Sequence, residues 1–196
     1  MTETNPSTQP PKNSWLTLVT PVVSLALLCL FVALSISGTY ALTHERIVAH
    51  REAAMFAGME RLIAADQYQL VFYDETNDFA LYEAISNQGM VKGHLLLTSV
   101  FGYSGDVSVL TAISEGRVIA IEIVDATGET PGLGQNILDP DFVGEFQNLT
   151  VPPTLVRGDP TAHGEIGTLT GATISAQAVV DAVGFAMELY ETHVTK

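Results

Sequence analysis

The sequence predicts an α+β protein: a single transmembrane helix and a stalk helix at the N-terminus, then a domain with a mostly antiparallel sheet flanked by helices. Three observations lead there. Residues 15–37 form an apolar stretch without a formal charge, five short β-rich runs separated by turns follow between residues 68 and 124, and residues 175–192 carry an apolar stripe at helical spacing. No internal repeat is visible.

Residues 1–14 are rich in Thr, Pro, Ser and Asn and are expected to form a disordered tail. Residues 15–42 are expected to be the membrane anchor: no charge occurs between Lys12 and Glu45, and Leu, Val, Ala, Ile and Phe dominate. At 1.5 Å per residue the 15–37 run makes roughly 35 Å of helix, against a hydrocarbon core of about 30 Å. Trp15 and Tyr40 sit near its two ends, where interfacial aromatics belong. Pro21 falls in the first turns, and Cys29 inside the run reads as a small apolar residue. A cleaved signal peptide is the competing reading, with residues 39–41 as a small-residue site, but the run is long for one and Lys12 stands beside Glu3. Lys12 on one flank and Arg46 and Arg51 on the other leave the orientation undecided by charge.

Residues 43–66 are expected to be the stalk helix, with Ile47, Val48, Met55, Phe56, Met59, Leu62 and Ile63 near helical spacing. The domain proper is expected over 67–196, with strands at 68–73, 79–85, 91–98, 107–113 and 117–124. Ser86-Asn87-Gln88-Gly89 and Ser114-Glu115-Gly116 read as hairpin turns, and the last two strands alternate well enough to be half-buried neighbours. A glycine-containing loop at 125–135, a short helix near 140–147, a Pro-rich passage, a Gly/Thr loop at 164–173 and the closing helix complete the order.

The charge pattern narrows function. Of 196 residues, Lys and Arg supply 8 and Asp and Glu 22, for a net charge of −14, yet only 15% are charged and mean hydropathy is +0.28. Residues 43–196 hold 7 of the basic and 21 of the acidic residues, so the apolar anchor dilutes the charge and the domain carries the excess. Such a surface excludes nucleic acid as a partner and docking to anionic lipid through a basic patch. A lone cysteine allows no internal disulfide, and no Cys-x-x-Cys is present for haem, iron–sulfur or zinc. No histidine pair has metal-ligand spacing with a third ligand, so no metal site is expected.

Two loops hold the chemistry. Glu129-Thr130-Pro131-Gly132-Leu133-Gly134 combines a forced turn, approachable backbone N–H groups and one acid; its plain alternative is a strand-to-helix connection. Thr170-Gly171-Ala172-Thr173-Ile174-Ser175 opens the last helix, whose N-terminal N–H groups suit a phosphate, while its hydroxyls are also N-cap candidates. Gly102-Tyr103-Ser104-Gly105 places an aromatic in a tight turn, able to stack on a planar ring or to cover a core edge.

These three segments in this order resemble the FMN-binding subunit family of ion-pumping respiratory complexes: RnfG of the Rnf complex and its relative NqrC of the Na⁺-translocating NADH:quinone oxidoreductase. Length and the compact link from anchor to domain favour the RnfG type. The resemblance implies FMN joined as a phosphoester to Thr173 and installed from FAD by a separate flavin transferase. It implies that Glu129, Thr130 and Leu133 line the flavin pocket, that Tyr103 and Ser104 lie nearby, and that Thr170, Gly171 and Ala172 shape the approach to the phosphate. With so few basic residues the phosphate would rest largely on backbone N–H groups, helped by Arg157 or Lys92. The family's motif has Asp at the position of Gly167; the nearest acid in sequence is Glu165. The implied role is electron relay among the membrane subunits of an Rnf-type NAD:ferredoxin oxidoreductase, on the periplasmic or extracellular side of a bacterial inner membrane. The alternatives are an assembly or regulatory subunit without flavin, and an NqrC-like subunit.

Overall fold

A computed structural model describes residues 14–74 and 79–194, with side chains from residue 19 onward. The tail expected over residues 1–14 lies outside the described residues, save Ser14, which opens the first helix. Helix α1 runs Ser14–Leu62 with Pro21 inside it. Among the described residues its segment Val19–Leu62 is long and apolar enough to cross a membrane. Three of its hydroxyls are satisfied within the helix: Ser35, Thr39 and Thr43 each donate to the carbonyl four residues back at 2.8–2.9 Å. That matters in an apolar medium, where an unpaired hydroxyl is costly. The chain divides into two compact units, Met1–Ala49 and His50–Lys196.

In the second unit, strands β1 (Gln67–Asp74), β2 (Phe79–Ile85), β3 (Val91–Phe101), β4 (Asp106–Ser114) and β5 (Arg117–Asp125) form one antiparallel sheet in chain order. Tight turns set this meander: the Gly89 N–H donates to the Ser86 carbonyl at 2.8 Å, and Glu115 and Gly116 take φ of 53° and 73° between β4 and β5. The expected strands are present and mostly extend a residue or two further. The difference lies in burial. β4 is covered on both faces rather than half-buried, because each face of the sheet has its own core. Leu96, Val107, Val109 and Ile113 pack with Val179, Val183 and Ala186, whereas Leu95, Leu110 and Ala112 pack with Met59 and Ile63. Residues 51 and 61 of α1 also pair with β5, Arg51 with Asp125 at 3.0 Å and Arg61 with both oxygens of Glu122.

After β5 come a 3₁₀ turn, Gly134–Leu138, and helix α2, Pro140–Gly144, whose first turn is capped by the Asp139 carboxylate accepting from Asp141 N–H. A parallel strand pair that periodicity did not predict joins the Pro-rich passage to the Gly/Thr loop, β6 (Thr154–Val156) with β7 (Glu165–Gly167). Helix α3, Thr173–His193, closes the chain and begins two residues earlier than expected. It is fixed to the sheet by the buried Thr98 hydroxyl, which donates to the Ala182 carbonyl at 3.1 Å.

Candidate functional site

The hairpin end of β3, the loop leaving β5 and the N-terminus of α3 converge on one cavity of about 500 Å³. Tyr103, Glu129, Thr130, Leu133, Gly134 and the first residues of α3 with the loop before it, 171–175, line it. That volume falls in the range of small-molecule and cofactor sites. Of the residues singled out in the sequence, seven line this cavity: Tyr103, Glu129, Thr130, Leu133, Gly171, Ala172 and Thr173. Ser104 and Thr170 are exposed beside it and do not line it. The wall is largely apolar at its mouth, with Tyr103 64%, Leu133 50% and Ile174 54% exposed.

Local sequence explains the shape. Thr130 O accepts from both Leu133 N–H (3.2 Å) and Gln135 N–H (3.1 Å), folding 129–135 into a tight turn that projects Leu133. Gly171 adopts φ +80°, a conformation that disfavours side chains, and a Cβ there would come within 3.3 Å of Leu133 Cδ2. Ala172 occupies the N-cap of α3 and offers no side-chain cap, so the N-cap role open to the hydroxyls at 170, 173 and 175 is filled by none of them. The first turn of α3 thus lines the cavity with N–H groups that have no side-chain acceptor, an arrangement suited to a phosphate. Thr173 is the first residue of the helix; its exposed hydroxyl oxygen accepts from Thr168 Oγ1 at 3.3 Å.

Glu129 lines the cavity from a buried position. Its side chain is 1% exposed. Oε1 accepts from the N–H groups of Tyr103 (2.7 Å) and Ser104 (3.2 Å), and Oε2 accepts from the Ser175 hydroxyl at 2.6 Å. The carboxylate thus joins all three segments, and Ser175 is a site residue whose role spacing did not reveal, since its partner is 46 residues away.

Among the described residues no Lys or Arg lines the cavity. Lys92, expected as a possible phosphate partner, instead donates to the Ala64 carbonyl at 2.7 Å. Glu165 is also committed elsewhere: one of its oxygens accepts from Thr161 N–H, Thr161 Oγ1 and Ala162 N–H, and these donors hold its carboxyl below the ordinary range. The acid beside Gly167 is Glu145, whose Oε2 accepts from the Gly167 N–H at 2.6 Å. Among the described residues no group of three His, Cys, Asp or Glu is placed to hold a metal ion.

An FMN fits this donor set: an apolar mouth with an aromatic for the ring, free helical N–H groups for the phosphate, and a hydroxyl at their edge. Residues 102–188 match the family model of the FMN-binding domain. The chain is 30% identical over 178 residues to the G component of the ion-translocating oxidoreductase complex of Methanosarcina acetivorans, covering 87% of this chain and 91% of that one. It is 26% identical over 170 residues, 86% of this chain and 89% of the relative, to the G component of the proton-translocating ferredoxin:NAD(+) oxidoreductase complex of Clostridium ljungdahlii. Among solved structures, the C component of the Na(+)-translocating NADH-quinone reductase from Parabacteroides distasonis aligns with TM-score 0.51 and 18% identity, over 60% of this chain and 63% of that one. That likeness is one of fold.

Proposed function

The chain belongs to the RnfG-type family, the FMN-binding G components of ion-translocating oxidoreductase complexes, and from that premise we propose that it relays electrons through an FMN held at the α3 N-terminus. The observation that carries the reading is the convergence of Tyr103, Leu133 and Thr173 on one cavity at an uncapped helix N-terminus. Bound there, FMN supplies one- and two-electron redox chemistry. The chain's residues do the holding. Tyr103 and Leu133 offer apolar surface to the ring, the first-turn N–H groups of α3 offer donors to the phosphate, and the buried carboxylate of Glu129 fixes the loops around it.

Thr173 Oγ is the proposed attachment atom. It would hold FMN as a phosphoester once a separate transferase breaks the pyrophosphate bond of FAD, the flavin phosphate passing to the hydroxyl oxygen and AMP leaving with the hydroxyl proton. The free N–H groups and the absence of basic side chains from the cavity lining support a tether: a covalent bond holds an anion where no counter-charge does. The proposed partners are this transferase and the other membrane subunits of an Rnf-type complex. The proposed location is a bacterial inner membrane, anchored by α1, with the FMN domain on the periplasmic or extracellular side.

Intact-mass measurement of the denatured protein, expressed with and without a flavin transferase, tests this. The expected result is a gain of the mass of FMN less one water at Thr173, dependent on the transferase and absent in Thr173→Val. A wild-type chain that stays unmodified with the transferase present, and shows no flavin absorption when native, overturns the reading in favour of an assembly subunit without flavin.

A further inference from the structure

Within the pocket, Glu129 has an environment that a pocket-lining ligand residue would not need. Its two oxygens lie in a cradle that only glycines leave open: a Cβ at Gly102 would sit 2.3 Å from Oε1, and one at Gly134 would sit 2.4 Å from Oε2. Beside them the backbones of Gly105 and Gly128 pack so closely that a Cβ on either would come within about 3.0 Å of the other's Cα. The Tyr103 turn is thus seated directly on the loop that bears Glu129. The carboxylate then accepts three hydrogen bonds, two from the backbone of that turn and one from Ser175 in the first turn of α3. Among the described residues no cation pairs with it: its partners are two backbone N–H groups and a hydroxyl. A buried carboxylate bound this way is costly unless every donor is kept in place, so it holds its donors as much as they hold it.

Those donors belong to the two sides of the cavity. Tyr103 stands on one and Thr173, two residues before Ser175, on the other. We propose that Glu129 is a positioning residue of the flavin pocket: it clasps the Tyr103 turn to the N-terminus of α3, and so sets the gap in which the flavin ring is held rather than touching the flavin itself. This rests on the FMN reading above and extends it. The consequence is specific. Losing the clasp frees the ring without removing the tether, because Thr173 Oγ takes no part in it.

The test uses the flavinylated full-length chain. Glu129→Ala removes the acceptor from all three donors. Glu129→Gln keeps an acceptor for the Tyr103 and Ser104 N–H groups and places an amide opposite Ser175, whose hydroxyl can turn to accept. The expected result is that Glu129→Ala, with FMN still attached after denaturation, shows lower flavin fluorescence anisotropy and severalfold stronger quenching by iodide, while Glu129→Gln stays close to wild type. Unchanged anisotropy and quenching in Glu129→Ala overturn the proposal, as does a Glu129→Gln protein as loose as Glu129→Ala. The amide exchange of Tyr103 and Ser104 separates this from the parent reading. Even in a chain that carried no flavin, Glu129→Ala is expected to speed that exchange by about tenfold or more, and equal rates would overturn the clasp. Missing flavin in the wild type counts against the FMN reading and not against the clasp.

Discussion

An alanine at position 134 would place its Cβ 2.4 Å from Glu129 Oε2. That oxygen ends a flexible side chain, but the side chain is buried and held by three donors, so it has nowhere to retreat without breaking them. Gly134→Ala is therefore expected to lower stability by about 2 kcal/mol, measured by chemical denaturation. Gly184, inside α3, has open space where a Cβ would go, and Gly184→Ala is expected to raise stability by about 0.5–1 kcal/mol in the same assay. Gly167 is a third case. An Asp there would put a second carboxylate against Glu145, whose Oε1 is 3.4 Å from the Cβ position. Gly167→Asp is expected to cost about 1 kcal/mol, and Glu145→Gln to remove most of that cost in the double variant. These residues also mark what the sequence could tell. Tyr103, Leu133 and Thr173 could be picked out in the sequence because their motifs are local, and all three line the cavity. The Ser175–Glu129 bond and the Glu145–Gly167 bond were not, since each joins residues more than twenty positions apart that periodicity cannot relate.

At the scale of elements, the β1–β5 meander was legible because each strand is long enough to show its composition and each hairpin turn has its own chemistry. The β6–β7 pair was not: three residues per strand are too few for a period, and Pro152, Pro153 and Pro160 around them argue for loop. Two-sided burial of β4 was hidden for a different reason. Its sequence, DVSVLTAIS, carries Ser108 on one face and Thr111 on the other, as if neither were fully covered, whereas Thr111 is buried. The β4–β5 turn offers a test at this scale. Glu115 holds φ 53° ahead of Gly116 at φ 73°, the geometry that favours Asn-Gly. Glu115→Asn is expected to stabilise the domain by about 0.5 kcal/mol, seen as a raised midpoint in urea with an unchanged slope.

For the molecule as a whole, the decisive feature is how charge and apolar surface are partitioned. Residues 43–196 carry 21 acidic against 7 basic side chains, whereas no charge occurs between Lys12 and Glu45. An anionic domain gains nothing from an anionic lipid surface, and residual contacts with one would be screened by salt within about 10 Å at 0.1 M. Membrane retention is then expected from α1, where Leu27, Leu28, Leu30, Phe31, Leu34 and Ile36 are all exposed. A helix that buries those side chains in hydrocarbon is held by the hydrophobic effect, which salt and alkali do not reverse. The chain is therefore expected to stay with the membrane pellet through washes in 1 M salt and in alkaline carbonate, and to be released by detergent with an intact mass that includes residues 15–42. Release by salt would mean that a polar surface of the domain does the holding. A mature mass beginning near residue 42, found in the soluble fraction, would mean that the apolar run is a signal peptide and that other subunits must keep the flavin domain at the membrane.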